Sequence, residues 1–421
     1  MSANDSFLLQ IQRQQFRDRP AAESALKAHL EAIFGEGIRE LRLNVRPESL
    51  NSFNGILQFA SGERCFFKSH VEEEEQLSAY YRLDLLEEAG YPIASPKRIR
   101  EQPGQQIALY EVLTYPTYFD LVKAAEDGDA NIAWEAELHP AQRRFDARVQ
   151  ACFGATFAPS TEPAGERAAI HQLFSERLKP SGRLGLFYLG KSRSLGGVER
   201  SFESLARLPW VINGLRYRHT LAEIIAGAQA LLEPDLPSAT VLGHGDAHNG
   251  NLFWNAEAQE LLLFDPAFAG RHSPLLDLVK PLFHNVFARW MYFPEQVDGE
   301  ISLEMQWRED AIYVEHDFLP SKVRADILHS KLEEGLRPTL ALLRERGGLE
   351  ETWREFLRAA LFCCPFLTVN LFAPAAGGGS LAERYTDKIR ILGLALALEM
   401  GSLPLTGRHA LRDLVDPIFE T

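Results

Sequence analysis

Short β-prone runs dominate the first part of the chain, and in the first of them, IRELRLNV, apolar and polar residues alternate with the period of two that is typical of a strand buried on one face. The runs lie at 38–45, 56–60, 64–68, 97–101 and 106–113. Ser61-Gly62 and the segment QPGQ are turn-forming and join neighbouring runs closely enough for hairpins. We therefore predict a sheet of five antiparallel strands.

A segment between the third and fourth of these strands has the spacing of an amphipathic helix. From Val71 to Ala89 apolar side chains such as Leu77 and Tyr81 recur at helical intervals, and Gly90 is a typical helix end. Residues 1–113 are therefore expected to form a small α+β lobe with one helix inserted after the third strand.

Helical patterns prevail after residue 113. Helices are predicted near 117–126, 139–151, 164–178 and 219–232, and again from Leu275 to the end of the sequence. A short strand, ATVLGH at 239–244, and a hairpin at 251–265 interrupt them. The predicted fold class is α+β with two lobes, and the second lobe, residues 114–421, is the larger and mainly helical one.

Composition and charge narrow the class of protein. The 421 residues are 46% hydrophobic and 24% charged, as in ordinary globular proteins, and they suffice for two or three structural units. A total of 44 Lys and Arg against 58 Asp and Glu gives a net charge of −14, which disfavours nucleic acids and anionic membranes as partners. The four cysteines lack metal-type spacing, and no secretory signal or spanning stretch is recognisable. We expect a cytoplasmic protein that binds neither nucleic acid nor membrane.

Residues 244–251, HGDAHNGN, concentrate polar groups of the kind that phosphoryl transfer needs. A strongly apolar strand then delivers Asp265, fourteen residues after Asn251. Transfer from ATP requires a carboxylate near the attacking hydroxyl and oxygen ligands for Mg²⁺. Asp246 lies on a loop where it can meet an acceptor, while Asn251 and Asp265 stand at the two ends of a hairpin that can bring them to one metal ion. Such a reaction depends mostly on positioning and charge neutralisation, so this set is a nearly complete site.

Lys68, at the end of the third predicted strand, supplies a cation for the phosphates that are not transferred. A run of four glutamates, 72–75, begins the helix that follows. A glutamate on that helix can fix the lysine, and Glu75 fits best because it precedes Leu77 on a plausible inward face. Glu74 remains an alternative.

The order Lys68, Glu75, HGDAHNGN and FDP resembles the kinase-like fold of the aminoglycoside phosphotransferase and choline kinase family. Protein kinases have HRDxxxxN and DFG at the corresponding places. Here Gly245 replaces the arginine and Pro266-Ala267 replace Phe-Gly, a form that looks like the small-molecule branch. The resemblance implies a bilobal protein-kinase-like fold and an enzyme that uses ATP and Mg²⁺ to phosphorylate a hydroxyl of a small molecule.

The resemblance also implies a role for each motif position. Asp246 would be the catalytic base, and Asn251 and Asp265 would be the Mg²⁺ ligands. Lys68, paired with Glu75, would anchor the α- and β-phosphates of the nucleotide.

The nucleotide contacts follow from the same resemblance. The hinge between the lobes would lie in YEVLTYP, where backbone groups of Glu111 and Leu113 would meet adenine. No GxGxxG precedes the lysine, so the loop that covers the phosphates would be SFNG, around Asn54 and Gly55.

Two further motif residues would support the site rather than perform chemistry. His244 would lie beneath the motif, and Asp277 would anchor the loop region. Only eleven residues separate Asp265 from Asp277, which is too few for a long peptide-binding activation segment and argues against a protein substrate.

Two other functions fit parts of the pattern. His244, Asp246 and His248 alternate and could bind a transition metal, as in metal-dependent phosphohydrolases. Such enzymes need a DxH string upstream of this motif and a GNH[DE] string downstream of it, and the chain has neither. A nucleotide-binding pseudokinase acting as an interaction module would keep the fold, but it would not require a base such as Asp246.

Two segments suggest opposite charges on the acceptor. Between Phe287 and Phe318, aromatic residues mix with acidic ones, which suits a cationic alcohol. Residues 177–200 contain six Lys and Arg against Glu199 alone, which suits an anionic acceptor. A solvated surface is the simpler explanation of both segments, so the charge of the acceptor stays open.

Overall fold

The computed structural model of the chain describes residues 7–44, 52–70, 83–94, 96–100, 102, 107–111, 115–159, 168–236, 238–373 and 384–420. Within these ranges, none of the helices is long and apolar enough to cross a lipid bilayer.

A five-stranded antiparallel sheet forms the first part of the molecule, as predicted. Its strands are Ile38–Asn44 (β1), Ser52–Phe59 (β2), Arg64–His70 (β3), Arg98–Arg100 (β4) and Ile107–Glu111 (β5). They lie side by side in the order β1-β2-β3-β5-β4. Lys68 is on β3, a central strand, and is opposite Asn54 on one side and Ala108 on the other.

Two helices precede this sheet, in addition to the single helix that the sequence predicts for the lobe. They span Phe7–Gln14 and Arg19–Phe34, and the Asp18 side chain caps the second by accepting a hydrogen bond from the Ala21 N–H at 3.1 Å. Their apolar side chains and those of β1, β2, β3 and β5 form one hydrophobic cluster. These helices cover one face of the sheet and shield it from water.

The helix predicted from Val71 to Ala89 is only partly within the described residues. Its last part, Leu83–Glu88, is helical, and Gly90 follows it with a φ of +88°, a left-handed conformation suited to glycine. Residues 71–82, which include Glu75, lie outside the described ranges. The lobe boundary predicted at residue 113 also falls outside them and stays a prediction.

The remainder of the chain is mainly helical. The α-helices span Tyr118–Glu126, His139–Thr156, Arg183–Phe187, Phe202–Ala206, Leu221–Leu231, Pro274–Val286, Arg289–Tyr292, Pro294–Glu300, Lys322–Ser330, Arg337–Glu345, Trp353–Thr368, Asp387–Gly401 and Ala410–Val415. The described residues of this part also contain two π-helical segments, Trp134–Leu138 and Lys331–Leu336, and four 3₁₀ turns, Ala169–Leu173, Glu176–Leu178, Asn249–Asn251 and Asp416–Ile418. The strands are Ser192–Leu195, Val198–Ser201, Trp210–Ile212, Leu215–Arg216, Val241–Gly243, Leu252–Asn255, Glu260–Leu263, Gly270–His272, Leu303–Trp307 and Ile312–His316.

The helical part differs from its prediction in two places. Residues 303–316 form a hairpin rather than helix, and its second strand pairs in parallel with Trp210–Ile212, about a hundred positions earlier in the chain. Within the predicted helix 164–178, residues 164–167 lie outside the described ranges, and the rest forms two 3₁₀ turns that are separated at Phe174 by a non-helical backbone (φ −127°, ψ −87°). At residues 303–316 the pairing with a distant strand overrides local propensity.

One helix of this part is buried over its whole length. Every residue of Pro274–Val286 is buried, and the helix lies against Trp353–Thr368 in the centre of the hydrophobic core. Side chains at its polar positions are therefore held rigidly.

Aromatic packing joins the sheet to the hairpin Leu252–Leu263. Phe66 and Tyr110 from the sheet meet Phe253 and Phe264 at ring-centroid distances of 6.1–6.2 Å. The rings of Phe253 and Phe264 stack at 4.1 Å. This contact brings Lys68 on β3 to the residues that follow the hairpin.

Candidate active site

The motif loop, residues 244–251, follows the strand Val241–Gly243 and turns sharply at Gly245. That glycine has a φ of +80°, and a Cβ there would lie 2.4 Å from the Phe268 carbonyl oxygen. Only glycine fits both demands. The Gly245 N–H donates to Asp277 Oδ1 at 2.6 Å, so Asp277 anchors the loop as expected.

His244 supports the loop from beneath. Its Nδ1 accepts a hydrogen bond from the Asp246 N–H at 3.3 Å, which leaves Nε2 as the donor to the Phe264 carbonyl at 3.1 Å. Burial lowers the pKa of His244, so the ring is neutral. Because both ring nitrogens are engaged, His244 is not available to a metal ion, and the metal-dependent phosphohydrolase loses one of its ligands.

Side chains of Lys68, Asn251 and Asp265 meet in one buried cluster. The Lys68 ammonium lies 2.7 Å from Asn251 Oδ1 and 2.7 Å from Asp265 Oδ2. The Asn251 amide donates from Nδ2 to the Asp246 backbone carbonyl at 2.8 Å. The structure thus brings the Lys68 side chain to those of Asn251 and Asp265, more than 180 positions later in the chain, beside the backbone of Asp246.

The backbone of Asp265 is held in an unusual conformation. Its φ is +63°, in the left-handed region that residues other than glycine seldom adopt. The Asp265 N–H donates to the hydroxyl of Tyr110 at 3.0 Å, and the Phe264 N–H donates to the Asn251 carbonyl at 3.0 Å. Strain of this kind persists only where the surroundings impose it, and it is common at functional sites.

Tyr110 was not identified from the sequence. It lies on β5 within the β-prone run IALYE, which predicts only a strand, and its hydroxyl reaches Asp265 across the junction between sheet and hairpin. No local sequence signal marks a contact over this distance in the chain.

Asp246 is ionised in this environment. Burial acts to raise the pKa of its carboxyl, but nearby positive charges, with Lys280 the largest, outweigh burial and lower the pKa to about 2. The Lys280 ammonium lies 3.4 Å from Asp246 Oδ1. The carboxylate is therefore available as a proton acceptor over the neutral pH range.

His248 contributes a neutral ring beside the same carboxylate. Its Nδ1 accepts a hydrogen bond from the Gly250 N–H at 3.0 Å, and Nε2 lies 3.7 Å from Asp246 Oδ2. Burial lowers the pKa of His248 to about 4. His248 thus stabilises the loop and leaves the charge of Asp246 to be balanced by lysines.

Lys280 is a second residue that the sequence analysis missed. It stands three positions after Asp277 on the buried helix Pro274–Val286, so both face the motif loop. The available signal was a lysine inside the apolar run LLDLVKPLF, where a charge needs a partner.

The remaining nucleotide-binding predictions fall on or beside the sheet. Asn54 and Gly55 lie within the strand β2, so the prediction that they form a loop is wrong. Glycine is needed at position 55 because a Cβ would lie 2.1 Å from the Arg42 carbonyl of the neighbouring strand. Glu111 ends β5 with an exposed side chain, and Leu113 lies outside the described residues. Contact of these residues with a nucleotide stays a prediction.

Half of the eight acidic residues of the segment between Phe287 and Phe318 lie within ion-pair distance of basic partners. Four of its carboxylates form ion pairs: Glu295 with Arg384, Asp298 with Lys388, Glu300 with Arg289 and Asp310 with Arg216. Trp290 is fully buried in the hydrophobic core. This arrangement matches the simpler explanation of these acids as surface residues.

Several cations of the basic segment are also engaged within the fold. Lys179 pairs with Glu176, Arg183 donates to the Leu367 carbonyl and Arg193 pairs with Asp387. These three residues therefore hold loops in place. Neither the basic nor the acidic segment by itself defines the charge of the acceptor.

One family model matches the sequence, that of the phosphotransferase enzyme family, over residues 69–302. No curated protein matches the chain significantly. Similar solved structures include an ethanolamine kinase of Plasmodium vivax, 8% identical, with a TM-score of 0.46, covering 99% of this chain and 97% of that one. A choline kinase of Streptococcus pneumoniae is 11% identical, with a TM-score of 0.41 and coverages of 89% and 99%. A macrolide 2'-phosphotransferase of Brachybacterium faecium is 14% identical, with a TM-score of 0.34 and coverages of 88% and 98%.

The matched residues contain the motif loop, Asn251, Asp265 and Asp277, and they make up more than half of the chain. The chain has the protein-kinase-like fold and belongs to the phosphotransferase enzyme family.

Proposed function

We propose that this small-molecule phosphotransferase uses ATP and Mg²⁺ and transfers the γ-phosphate to a hydroxyl group of its acceptor. The observation that supports this most strongly is the convergence of Lys68, Asn251 and Asp265 beside Asp246. A cation, two oxygen ligands and a base are the groups that phosphoryl transfer requires.

The donor set fits Mg²⁺. Asn251 Oδ1 and Asp265 Oδ2 are hard oxygen donors of the type that Mg²⁺ prefers, and each lies 2.7 Å from the same ammonium group. A positive charge is therefore already stabilised between them. When bound, Mg²⁺ would neutralise charge on the phosphates and help to orient them.

Asp246 would receive the proton of the attacking hydroxyl. Its Oδ1 is fully buried, so Oδ2 is the carboxylate oxygen that can face an acceptor. The pKa of about 2 keeps this oxygen unprotonated. The Asn251 amide, bonded to the Asp246 carbonyl, fixes the distance between the base and the phosphate-binding groups.

Lys68 would hold the α- and β-phosphates. The strand β3 fixes its backbone between β2 and β5, so the side chain extends from a rigid sheet. In the nucleotide complex, two of the three N–H groups of its ammonium would donate to phosphate oxygens, and the contact with Asp265 would be partly replaced.

The geometry after Asp265 supports a small acceptor. The chain forms the strand Gly270–His272 and enters the helix at Pro274 almost at once. No room is left in the sequence for a long segment that would bind a peptide.

Release of ADP in the presence of a panel of small alcohols tests the proposal. The wild-type protein should release ADP with at least one acceptor, and Asp246→Ala should lower that rate by at least about 10²-fold because it lacks the general base. Nucleotide binding, measured by thermal shift with ATP and Mg²⁺, should persist in the variant. Asp129→Ala, at an exposed position, serves as the control.

Full turnover by Asp246→Ala would overturn the assignment of the base. Stabilisation by ATP and Mg²⁺ without ADP release for any acceptor of a broad panel would favour the pseudokinase module instead.

A further inference from the structure

A row of three buried polar side chains extends behind Asp246. The Lys280 ammonium lies 3.4 Å from Asp246 Oδ1 and 3.2 Å from His284 Nε2, and His284 Nδ1 lies 2.7 Å from the Tyr292 hydroxyl. Each of the three residues is at least nine-tenths buried. Neither the motif nor the proposed mechanism assigns them a role.

The direction of each hydrogen bond in the row follows from elementary chemistry. An ammonium group can only donate, so His284 Nε2 accepts from Lys280. The proton of the neutral ring is then on Nδ1 and is donated to the Tyr292 oxygen. Burial and the charges of Lys280, His248 and Arg177 all lower the pKa of His284, so the ring stays neutral and keeps this pattern.

The row ends at the carboxylate oxygen that does not face an acceptor. Asp246 Oδ1 is fully buried, and among the described residues it has no hydrogen-bond partner at ordinary distance. The nearest cation to it is Lys280, at a distance longer than that of a direct charge-assisted hydrogen bond. Such contacts are often long in the empty enzyme and shorten in the substrate complex.

The helix that carries Lys280 and His284 gives the row a rigid base. All residues of Pro274–Val286 are buried, and the same helix supplies Asp277, which accepts the Gly245 N–H. The helix therefore holds the motif loop at its backbone through Asp277 and could hold it at the Asp246 side chain through Lys280.

We propose that Lys280, fixed by His284 and Tyr292, is a positioning residue that orients Asp246 so that Oδ2 faces the acceptor hydroxyl. The inference rests on the proposed function. Lys280 acts through Asp246, whereas Lys68 would face the phosphates. Substitutions of the two lysines should therefore affect different kinetic constants. Loss of Lys280 should impair the chemical step and leave nucleotide binding unchanged.

The test compares Lys280→Met, Lys280→Arg and Tyr292→Phe in the acceptor-dependent ADP assay, with kcat and both KM values determined. Lys280→Met should lower kcat about 10- to 100-fold, because a small misplacement of a reacting group costs that much, and leave KM for ATP within about 2-fold. Lys280→Arg should recover part of kcat. Tyr292→Phe removes a single oxygen and should lower kcat by only a few-fold.

Lys331→Met provides the matched control. Lys331 is as buried as Lys280 and pairs with a buried carboxylate, Asp146, rather than with Asp246. It should lose stability but keep kcat. This separates a general effect of removing a buried lysine from a specific effect on the base.

Two outcomes would overturn the inference while the proposed function stands. One is a wild-type enzyme that turns over and a Lys280→Met variant with the kcat of Lys331→Met. The other is a rise in KM for ATP that matches the fall in kcat, which would make Lys280 a phosphate ligand. A wild-type protein without acceptor-dependent ADP release would instead reject the proposed function itself.

Discussion

Two buried lysines face two carboxylates in this molecule, and they do so in different ways. Lys68 reaches from the sheet to the residue after the hairpin and lies 2.7 Å from both Asp265 and Asn251. Lys280 belongs to the same helical part as Asp246 and lies 3.4 Å from it. The first pair is tight and joins two parts of the fold, whereas the second is looser and local.

The difference indicates which pair rearranges during turnover. The Lys68 ammonium lies between the two oxygen atoms proposed to bind Mg²⁺. Binding of Mg²⁺ and the nucleotide would therefore have to change the contacts of Lys68. Lys280 is fixed by His284 from within a fully buried helix and can remain in place. The first pair is thus suited to binding, and the second is suited to holding the base.

The largest effect is expected from the tight pair. Asp265→Asn keeps the shape but removes a charged ligand, and it should lower kcat by about 10³-fold, since a bound metal ion contributes several kcal/mol to such a transition state. The measurement is kcat as a function of Mg²⁺ concentration, with Asp310→Asn at the surface as the control. If Asp265→Asn kept the wild-type dependence of kcat on Mg²⁺, Asp265 would have no role in binding the metal. The distinction between the Lys68–Asp265 pair and the Lys280–Asp246 pair would then fail.

The two lysines should also differ in their effect on stability. Lys68→Met removes the ammonium group that lies 2.7 Å from the carboxylate of Asp265, a residue about 1% exposed. It should lower the free energy of unfolding by about 3–5 kcal/mol, as expected when one partner of a buried pair is removed. Lys280→Met should cost less, because Asp246, 9% exposed, is less completely removed from water than Asp265. Urea unfolding of both variants measures the difference, and equal losses would contradict the distinction.

The smallest expected effect concerns pH. The pKa of His248 is about 4 in the folded protein, well below the usual value of 6.5. Between these values the unfolded chain binds a proton that the folded protein does not, so stability falls as pH decreases. For His248 alone the free energy of unfolding should drop by about 2 kcal/mol between pH 7 and pH 5.

Urea unfolding at several pH values measures this dependence. In His248→Gln the free energy of unfolding should lack this drop of about 2 kcal/mol between pH 7 and pH 5. His329→Gln, at an exposed position, controls for the loss of one histidine. If the free energy of unfolding depended on pH equally in the wild type and in His248→Gln, the His248 ring would not be neutral beside Asp246. The charge balance between Asp246 and Lys280 would then need revision.

Much of the fold follows from local pattern. The alternation along β1, the β-prone runs after it and the turns between them predict the sheet, and the spacing of Asp246, Asn251 and Asp265 belongs to one loop and one hairpin. These features depend on neighbours within about twenty positions. Local physics is sufficient for them.

The parts that the sequence could not predict depend on contacts between distant positions. Tyr110 and Lys280 reach the site only after the sheet and the helix Pro274–Val286 have packed. The strand Ile312–His316 exists because Trp210–Ile212 pairs with it. Gly55 resembles a phosphate-loop glycine but is required by the close approach of the Arg42 carbonyl. None of these contacts has a local signal.

A crystal structure with Mn²⁺ and a non-hydrolysable ATP analogue tests the central claim most directly. Anomalous scattering should place one Mn²⁺ ion within about 2.0–2.3 Å of both Asn251 Oδ1 and Asp265, with the Lys68 ammonium against the α- and β-phosphates and Asp246 Oδ2 open to solvent. An ion bound away from these two residues, or a nucleotide that leaves Lys68 untouched, would contradict the account.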